Sequence, residues 1–258
     1  MDTKIIIGVY TVLIIGTLGK NVRIMGGQSL SVRECPYLVS IRNLVPSIHV
    51  CAGAIITNKH ILTAGHCFYR RKKYEKLIIN TGSSDLPNVS KTQFTIKVVN
   101  VHPEFYGKID SPGDFLNDIA VITINECIEF DEFQNKIDLP TNDILFDTTV
   151  MLTGWDLTNN ERKKYSDRVL QAPVKVMKIS DCLKYFPFPI RNDCICTYAN
   201  GISALKGDSG GPVTENNKII GIISFSNSDV KNIPDVHINV YKHMQFIRST
   251  IDTNLQCQ

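Results

Sequence analysis

An all-β architecture of barrels or sandwiches is what this chain predicts, on three observations. Apolar runs of about five residues recur along most of its 258 residues, turn-forming residues separate them, and no long amphipathic helical pattern occurs before the tail. Taken in order, the runs are "YLVSIR" at Tyr37, "HVCAGAIIT" at His49, "QFTIKVVNV" at Gln93, "DIAVITI" at Asp118, "TTVMLTG" at Thr148, "APVKVMK" at Ala172 and "KIIGIISFS" at Lys218. In the third, Phe94, Ile96 and Val98 alternate with Thr95 and Lys97, the period of a strand with one buried face. The tail changes period. Val240, Met244, Ile247 and Ile251 recur at helical spacing while Lys242, Gln245 and Arg248 fall elsewhere, which predicts a C-terminal helix over about 240–251 with one apolar stripe.

The first residues follow the order of an export signal: a short segment ending at Lys4, an apolar run from Ile5 to Leu18, and the small-x-small triplet Thr17-Leu18-Gly19. Cleavage after Gly19 would leave Lys20 first. The run is bracketed by Lys4 and Lys20 and is shorter than the roughly 20 residues that span a bilayer, so a signal peptide at 1–19 is expected rather than an anchor. The remainder suffices for one large β domain or two of about 100 residues each. No second long apolar stretch follows, and the mature chain is expected to be soluble, free of the membrane and monomeric. The formal charge is only +3, with Lys and Arg scattered among acids apart from "YRRKK" at Tyr69. That run reads as a solvated loop, and no nucleic-acid partner is expected.

Eight cysteines, at 35, 51, 67, 127, 182, 194, 196 and 257, favour disulfides in an exported chain. Zinc would want paired C-x-x-C or H-x3-H elements, and Cys194-Ile-Cys196 is the sole close pair, so neither metal nor cofactor is expected. One glycosylation sequon, Asn88-Val89-Ser90, lies in a polar stretch.

Three stretches carry a nucleophile, a base and an acid: "LTAGHC" around His66, "NDIAV" around Asp118 and "KGDSGGP" around Ser209. A serine hydroxyl is a poor nucleophile at neutral pH and needs an imidazole to take its proton. The imidazole needs a buried carboxylate to fix its tautomer and stabilise its cation. Glycines around Ser209 allow a sharp turn that exposes amides to a developing oxyanion. Taken singly, the serine stretch would also serve as an ordinary turn, Asp118 as a strand cap and His66 as a core histidine. Their joint presence, in this order and tens of residues apart, argues against that.

With these motifs the chain resembles the trypsin- and chymotrypsin-like secreted serine proteases, the insect-type chymotrypsin-like enzymes among them. The resemblance runs from Ile24 to about Ile251: "RIMGG" at Arg23 matches the activation site, "LTAGHC" the histidine motif, "NDIA" the aspartate motif, "TGW" at Thr153 the start of the second barrel, and "GDSGGP" the serine motif. It implies two six-stranded antiparallel β-barrels with a C-terminal helix and an active site between them. The polar stretch "DLPTND" at Asp138 marks the division, with barrels at about 24–140 and 141–240 of a peptidase domain 24–258. His66 would be the general base, Asp118 its orienting acid, Ser209 the nucleophile, and the amides of Gly207 and Ser209 the oxyanion hole. Ser224 would sit beside the buried aspartate and begin the segment that pairs with the substrate backbone. Residues 20–23 would be a short propeptide. Cleavage after Arg23 by a protease that cuts after basic residues would free the Ile24 ammonium to pair with Asp208. Protein or peptide substrates and protein protease inhibitors are the partners implied.

The chain departs from that pattern at several points. Cys51 with Cys67 and Cys182 with Cys196 match two common bridges. Leu205 and Glu215 stand where two further bridges would be anchored, and three pairings of Cys35, Cys127, Cys194 and Cys257 stay open. Ser203, six residues before Ser209, by itself implies preference for apolar or aromatic side chains. Asp235 stands where relatives carry a pocket-wall glycine. It would favour a positive partner, shrink the pocket, turn to solvent or bond to Ser203. Ser226 replaces another wall glycine. Gly65, Asp156, Phe225 and His60 are milder departures, Asp156 being near enough to the oxyanion region to weaken it by charge repulsion. The reading is therefore a secreted serine endopeptidase made as a zymogen. Its alternative is a catalytically silent homologue that binds or decoys. A small-molecule esterase of the G-x-S-x-G type would need the serine before the acid and histidine, the reverse of the order here.

Overall fold

The computed structural model describes residues 27–69, 74–86, 92–105, 107, 117–155, 168–205, 207–226 and 232–252. The leader, Arg23, Ile24, Asn88, Asp156 and Cys257 lie outside the described residues. A short strand β1 (Gln28–Ser29) opens the described chain. The next six strands are β2 (Leu38–Asn43), β3 (His49–Ile55), β4 (His60–Thr63), β5 (Leu77–Asn80), β6 (Gln93–Val101) and β7 (Ala120–Ile124), and they close a barrel in the order β2-β3-β4-β7-β6-β5. Six more follow: β8 (Thr149–Gly154), β9 (Leu170–Met177), β10 (Cys194–Tyr198), β11 (Pro212–Glu215), β12 (Lys218–Phe225) and β13 (Asp235–Asn239). They run in the order β9-β10-β13-β12-β11-β8, and β8 pairs back onto β9, which closes a second barrel. Every pairing of these strands is antiparallel, and β1 adds to the outside of β9. The two six-stranded antiparallel barrels are the fold that the resemblance implied.

β-Branched residues fill the interiors because they suit a pleated, crowded surface. Ile41, Ile55, Ile61, Ile79, Ile122 and Ile124 are buried in the first barrel, and Val150, Val174 and Val213 in the second. Each fully buried aliphatic side chain of this size contributes about 1.5–3 kcal/mol.

The alternation expected for Gln93–Val101 holds at Phe94 and then changes phase. Register shifts between Ile96 and Val98, so Val99 rather than Val98 becomes the fully buried residue. A bulge inserts one residue into one strand of a pair and turns the following side chains over. A short helix α1 (Ile179–Cys182) precedes β10. The tail forms a 3-10 turn at Tyr241–His243 and then α2 (Met244–Asp252), with Ile247 buried, Met244 and Ile251 half-buried and Arg248 exposed. No described helix is long and apolar enough to cross a membrane.

Candidate active site

His66 sits just past the end of β4, in a 3-10 turn at Gly65–Cys67. A disulfide from Cys67 to Cys51 on β3 holds that turn against the first barrel. Asp118 lies two residues before β7, after Asn117, which adopts φ 53°. The Asp118 carboxylate is 0% exposed and accepts three hydrogen bonds. His66 Nδ1 donates to Oδ2 at 2.6 Å, the His66 amide to Oδ1 at 2.6 Å, and Ser224 Oγ on β12 to Oδ2 at 2.6 Å. The acid therefore fixes both backbone and ring of His66. With Nδ1–H committed, Nε2 of the neutral ring is the free base, and the imidazole is 17% exposed. A Cβ on Gly65 would stand 3.0 Å from the Phe105 ring and 3.3 Å from Asp118 Oδ1, so the glycine gives the carboxylate room.

Burial opposes ionisation of both partners and the pair overcomes it. For His66 burial lowers the pKa, but the Asp118 charge and its hydrogen bond raise it above the ordinary histidine value. For Asp118 burial raises it, and the His66 charge with the His66 and Ser224 hydrogen bonds holds it below the usual carboxylate value.

Ser209 comes from the second barrel on a tightly tied loop. The Asp208 amide donates to Leu205 O at 3.0 Å, Gly211 N to Asp208 O at 2.8 Å and Gly210 N to Ile223 O at 2.7 Å. Ser209 O accepts from Ala52 N on β3 at 2.8 Å, so the loop is hydrogen-bonded to the barrel that carries His66. Gly207 and Gly210 have φ of 116° and 81°, backbone that side chains rarely tolerate.

One contributor escaped the sequence reading. His49 Nε2 donates to Gly207 O at 2.9 Å. In a neutral ring Nδ1 is then the acceptor, and Ser40 Oγ donates to it at 2.7 Å. Trp155 packs edge-on against the His49 ring at 5.3 Å between centroids. Burial, reinforced by the charge of Arg42, pushes the His49 pKa down to about 4 against the pull of the Gly207 carbonyl. The Gly207–Asp208 peptide, which adjoins the Gly207 amide at the same Cα, is thus held by a buried neutral donor 158 residues away.

Asp208 is buried too. Its Oδ2 accepts from Leu205 N at 3.0 Å, while Oδ1 has no hydrogen-bond partner among the described residues. Burial pushes its pKa up to about 6, against the pull of the Leu205 and Trp155 amides. A Cβ on Gly154 would fall 2.1 Å from Oδ1, so the glycine of "TGW" leaves space for this carboxylate at the end of β8.

Ser203 and Asp235 are in contact. Ser203 Oγ donates to Asp235 Oδ1 at 2.7 Å and Ala204 N to Oδ2 at 2.7 Å, with Asp235 3% exposed. Asp235 thus faces inward and bonds to Ser203. Ser226 is half-buried beyond the end of β12, where Phe225 packs edge-on against Phe186 and Phe188 at 5.8 and 5.9 Å.

Cys182 is bridged to Cys196, and Cys127 is disulfide-bonded to a residue outside the described set. Cys35 and Cys194 are free buried thiols, with pKa values pushed up to about 12 by burial and nearby acids. That removes both from the pairings left open by the sequence. His60 places Nδ1 at 2.8 Å from Thr57 Oγ1.

The family model described as Trypsin matches residues 24–247. Trypsin I-P1 of Gallus gallus is 29% identical, with 90% of each chain covered. Serine protease 1 of Homo sapiens is 26% identical over 90% of this chain and 91% of its own. A venom serine protease of Polistes dominula is 27% identical over 92% of this chain and 88% of its own. With a match running through the His66, Asp118 and Ser209 motifs on two closed barrels, this chain belongs to the trypsin family and is a serine-type endopeptidase.

Proposed function

We propose that the chain is exported as a zymogen and that, once cut after Arg23, it hydrolyses peptide bonds through His66, Asp118 and Ser209. The observation that carries this reading is the buried Asp118 carboxylate. It is held by two His66 groups and Ser224, and it leaves only Nε2 of His66 free to take a proton. Ser209 Oγ attacks the substrate carbonyl carbon as Nε2 takes its proton. The carbonyl π pair moves onto oxygen, where the amides of Gly207 and Ser209 receive it. Collapse breaks the C–N bond, His66 returns the proton to the amine, and water then releases the acyl group by the same steps in reverse.

The activation step is supported by Asp208. A buried carboxylate with one unpartnered oxygen, next to the nucleophile, is a receptor for the ammonium that cleavage before Ile24 creates. Its arrival would fix the loop from Leu205 to Ser209 and, with it, the oxyanion donors. Export is supported by the leader at 1–19 and by the relative named as a venom protease.

The test is hydrolysis of a mixed peptide library by the chain cut after Arg23, with Ser209→Ala as blank and an organophosphonate as label. Ser209 should be labelled, and kcat/KM should rise with pH through a value above the ordinary histidine pKa, because protonated His66 cannot act as a base. A cut, folded protein that neither labels nor exceeds the blank would overturn the reading. So would an uncut chain as active as the cut one for the zymogen step.

A further inference from the structure

We propose that His243 is a positioning residue for Asp118: donating from both ring nitrogens to carbonyl oxygens, it ties the turn that presents the acid to the start of the C-terminal helix. The inference rests on Asp118 being the acid of the reaction and adds the group that holds its turn in place.

The turn is short and depends on distant partners. Asn117 precedes the acid at φ 53°, and Ile119 N donates back across Asp118 to Asn117 O at 2.7 Å. Ile119 O accepts from His102 N at 3.0 Å, which joins the turn to the end of β6. The Asn117 side chain makes the link to the second barrel, its Oδ1 lying 3.1 Å from His243 Nε2. His243 ends the 3-10 turn that leads into α2, and its Nδ1 lies 2.9 Å from Asn239 O. Asn239 is itself fixed, its amide donating to Asp193 O at 2.9 Å and its Nδ2 to Asp143 Oδ1 at 2.8 Å.

Both atoms that face the ring are acceptors. Asn239 O is a backbone carbonyl. Asn117 turns its Oδ1 to the ring because its Nδ2 donates to Glu104 O at 3.4 Å, and the flipped amide would set oxygen against oxygen there. A neutral imidazole has one N–H, so it serves one carbonyl and turns a lone pair on the other. The imidazolium serves both. With His243 only 5% exposed, little water reaches the ring to replace a lost bond.

The surroundings suit that charge. His102, Glu104, Asp193 and Lys242 line one cavity with His243. Lys242 is committed to Asp143 at 2.6 Å, and Asp193 has Arg191 at 4.0 Å. The His102 ring packs edge-on against His243 at 5.6 Å between centroids. Burial first, and then the charge of His243, lowers the His102 pKa against the pull of Glu104 and Asp193. His102 Nδ1 accepts from Glu104 N at 3.3 Å, as a neutral ring can, and the charge of the pair sits on His243.

The experiment compares the wild type with His243→Phe, His243→Gln, Asn117→Gly and the double variant of His243→Phe with Asn117→Gly. All are cut after Arg23 and assayed on one peptide, and the histidine rings of the wild type are followed by 15N NMR. Phe keeps a ring against His102, Gln returns one donor, and Gly keeps the positive φ while removing the acceptor. His243→Phe and Asn117→Gly should each lower kcat about fivefold or more and change KM by less than about twofold, with a smaller loss in Gln. The double variant should lose no more than the worse single, since both act through one bond. Both ring nitrogens of His243 should carry protons, and where rising pH removes one, the wild-type kcat should fall towards that of His243→Phe. A His243 nitrogen left bare throughout the pH range of activity, an unchanged kcat in both His243 variants, or losses that add in the double variant overturns the inference and leaves the protease reading standing. A wild type that neither takes the phosphonate label nor exceeds Ser209→Ala overturns both. Should His243→Phe fail to fold, the same comparison runs with His243→Gln.

Discussion

His49 shows how much of a proposed catalytic site is set by a residue that never meets substrate. The Gly207 amide is proposed to face a developing oxyanion, and the Gly207–Asp208 peptide on the other side of the same Cα is anchored because its carbonyl is bonded to His49 Nε2 at 2.9 Å. Replacing His49 with Phe keeps a ring against Trp155 but leaves a buried carbonyl unpaired. Stability should fall by about 1–3 kcal/mol. Activity should fall about tenfold or more in kcat, less than the roughly hundred- to thousand-fold loss of an oxyanion donor itself. KM should barely move, and Gln, which restores a donor, should recover part of the loss. An unchanged kcat in the Phe variant would show that the Gly207 amide holds its direction without the bond to its neighbouring carbonyl. Because His49 stays neutral down to about pH 4, it adds no step to the profile in the range where His66 titrates. Nothing in "SIHVC" announces this role, since a contact 158 residues away leaves no local pattern. The candidates His66, Asp118 and Ser209 could be named from the sequence because each sits in its own short motif.

At the scale of elements, the loop after Asp208 joins the two barrels through a glycine that has no substitute. Gly210 has φ 81°, and a Cβ there would lie 2.1 Å from Thr63 Oγ1 on β4 and 2.5 Å from Ala52 O on β3. Gly210→Ala should therefore push the loop off the first barrel and break the bond from Ala52 N to Ser209 O. The expected result is a loss of about 1–3 kcal/mol from backbone strain alone and activity near the blank, read by thermal unfolding and phosphonate labelling together. Labelling at the wild-type rate would show the loop accommodating the methyl group. The seven apolar runs that announce strands all became strands, because one-sided or complete burial writes itself into apolar spacing. Strands β1, β4, β5, β10, β11 and β13 were not among them. β13 carries Asp235, His237 and Asn239 at buried positions, β11 begins with Pro212, and β4 has only four residues. Polar groups facing inward erase the pattern.

For the whole molecule, the question is how one cut before Ile24 would act on a cleft built from both barrels, and Asp208 makes it measurable. An acid whose folded pKa is raised binds protons more tightly folded than unfolded, so folding loses stability as pH rises between the two values. For Asp208 that window runs from 3.8 to about 6, and the loss approaches about 3 kcal/mol above it if the carboxylate stays unpaired. The uncut chain should carry this penalty at neutral pH. In the cut chain the new ammonium pairs with Asp208, the folded value drops, and the penalty disappears. Asp118, whose depressed value stabilises above the ordinary carboxylate range and is lost in acid, behaves alike in both forms and cancels from their difference. Asp235 responds to the Asp208 charge, so the comparison belongs in an Asp235→Asn background. Unfolding by denaturant, followed from pH 3 to 8, should give equal stabilities for cut and uncut chains near pH 3 and a gap that opens between about 4 and 6. In Asp208→Asn the gap should close at every pH. A gap that is constant with pH, or one that survives Asp208→Asn, would place the partner of the new ammonium elsewhere in the molecule. The loop carrying Ser209 would then need another route to order.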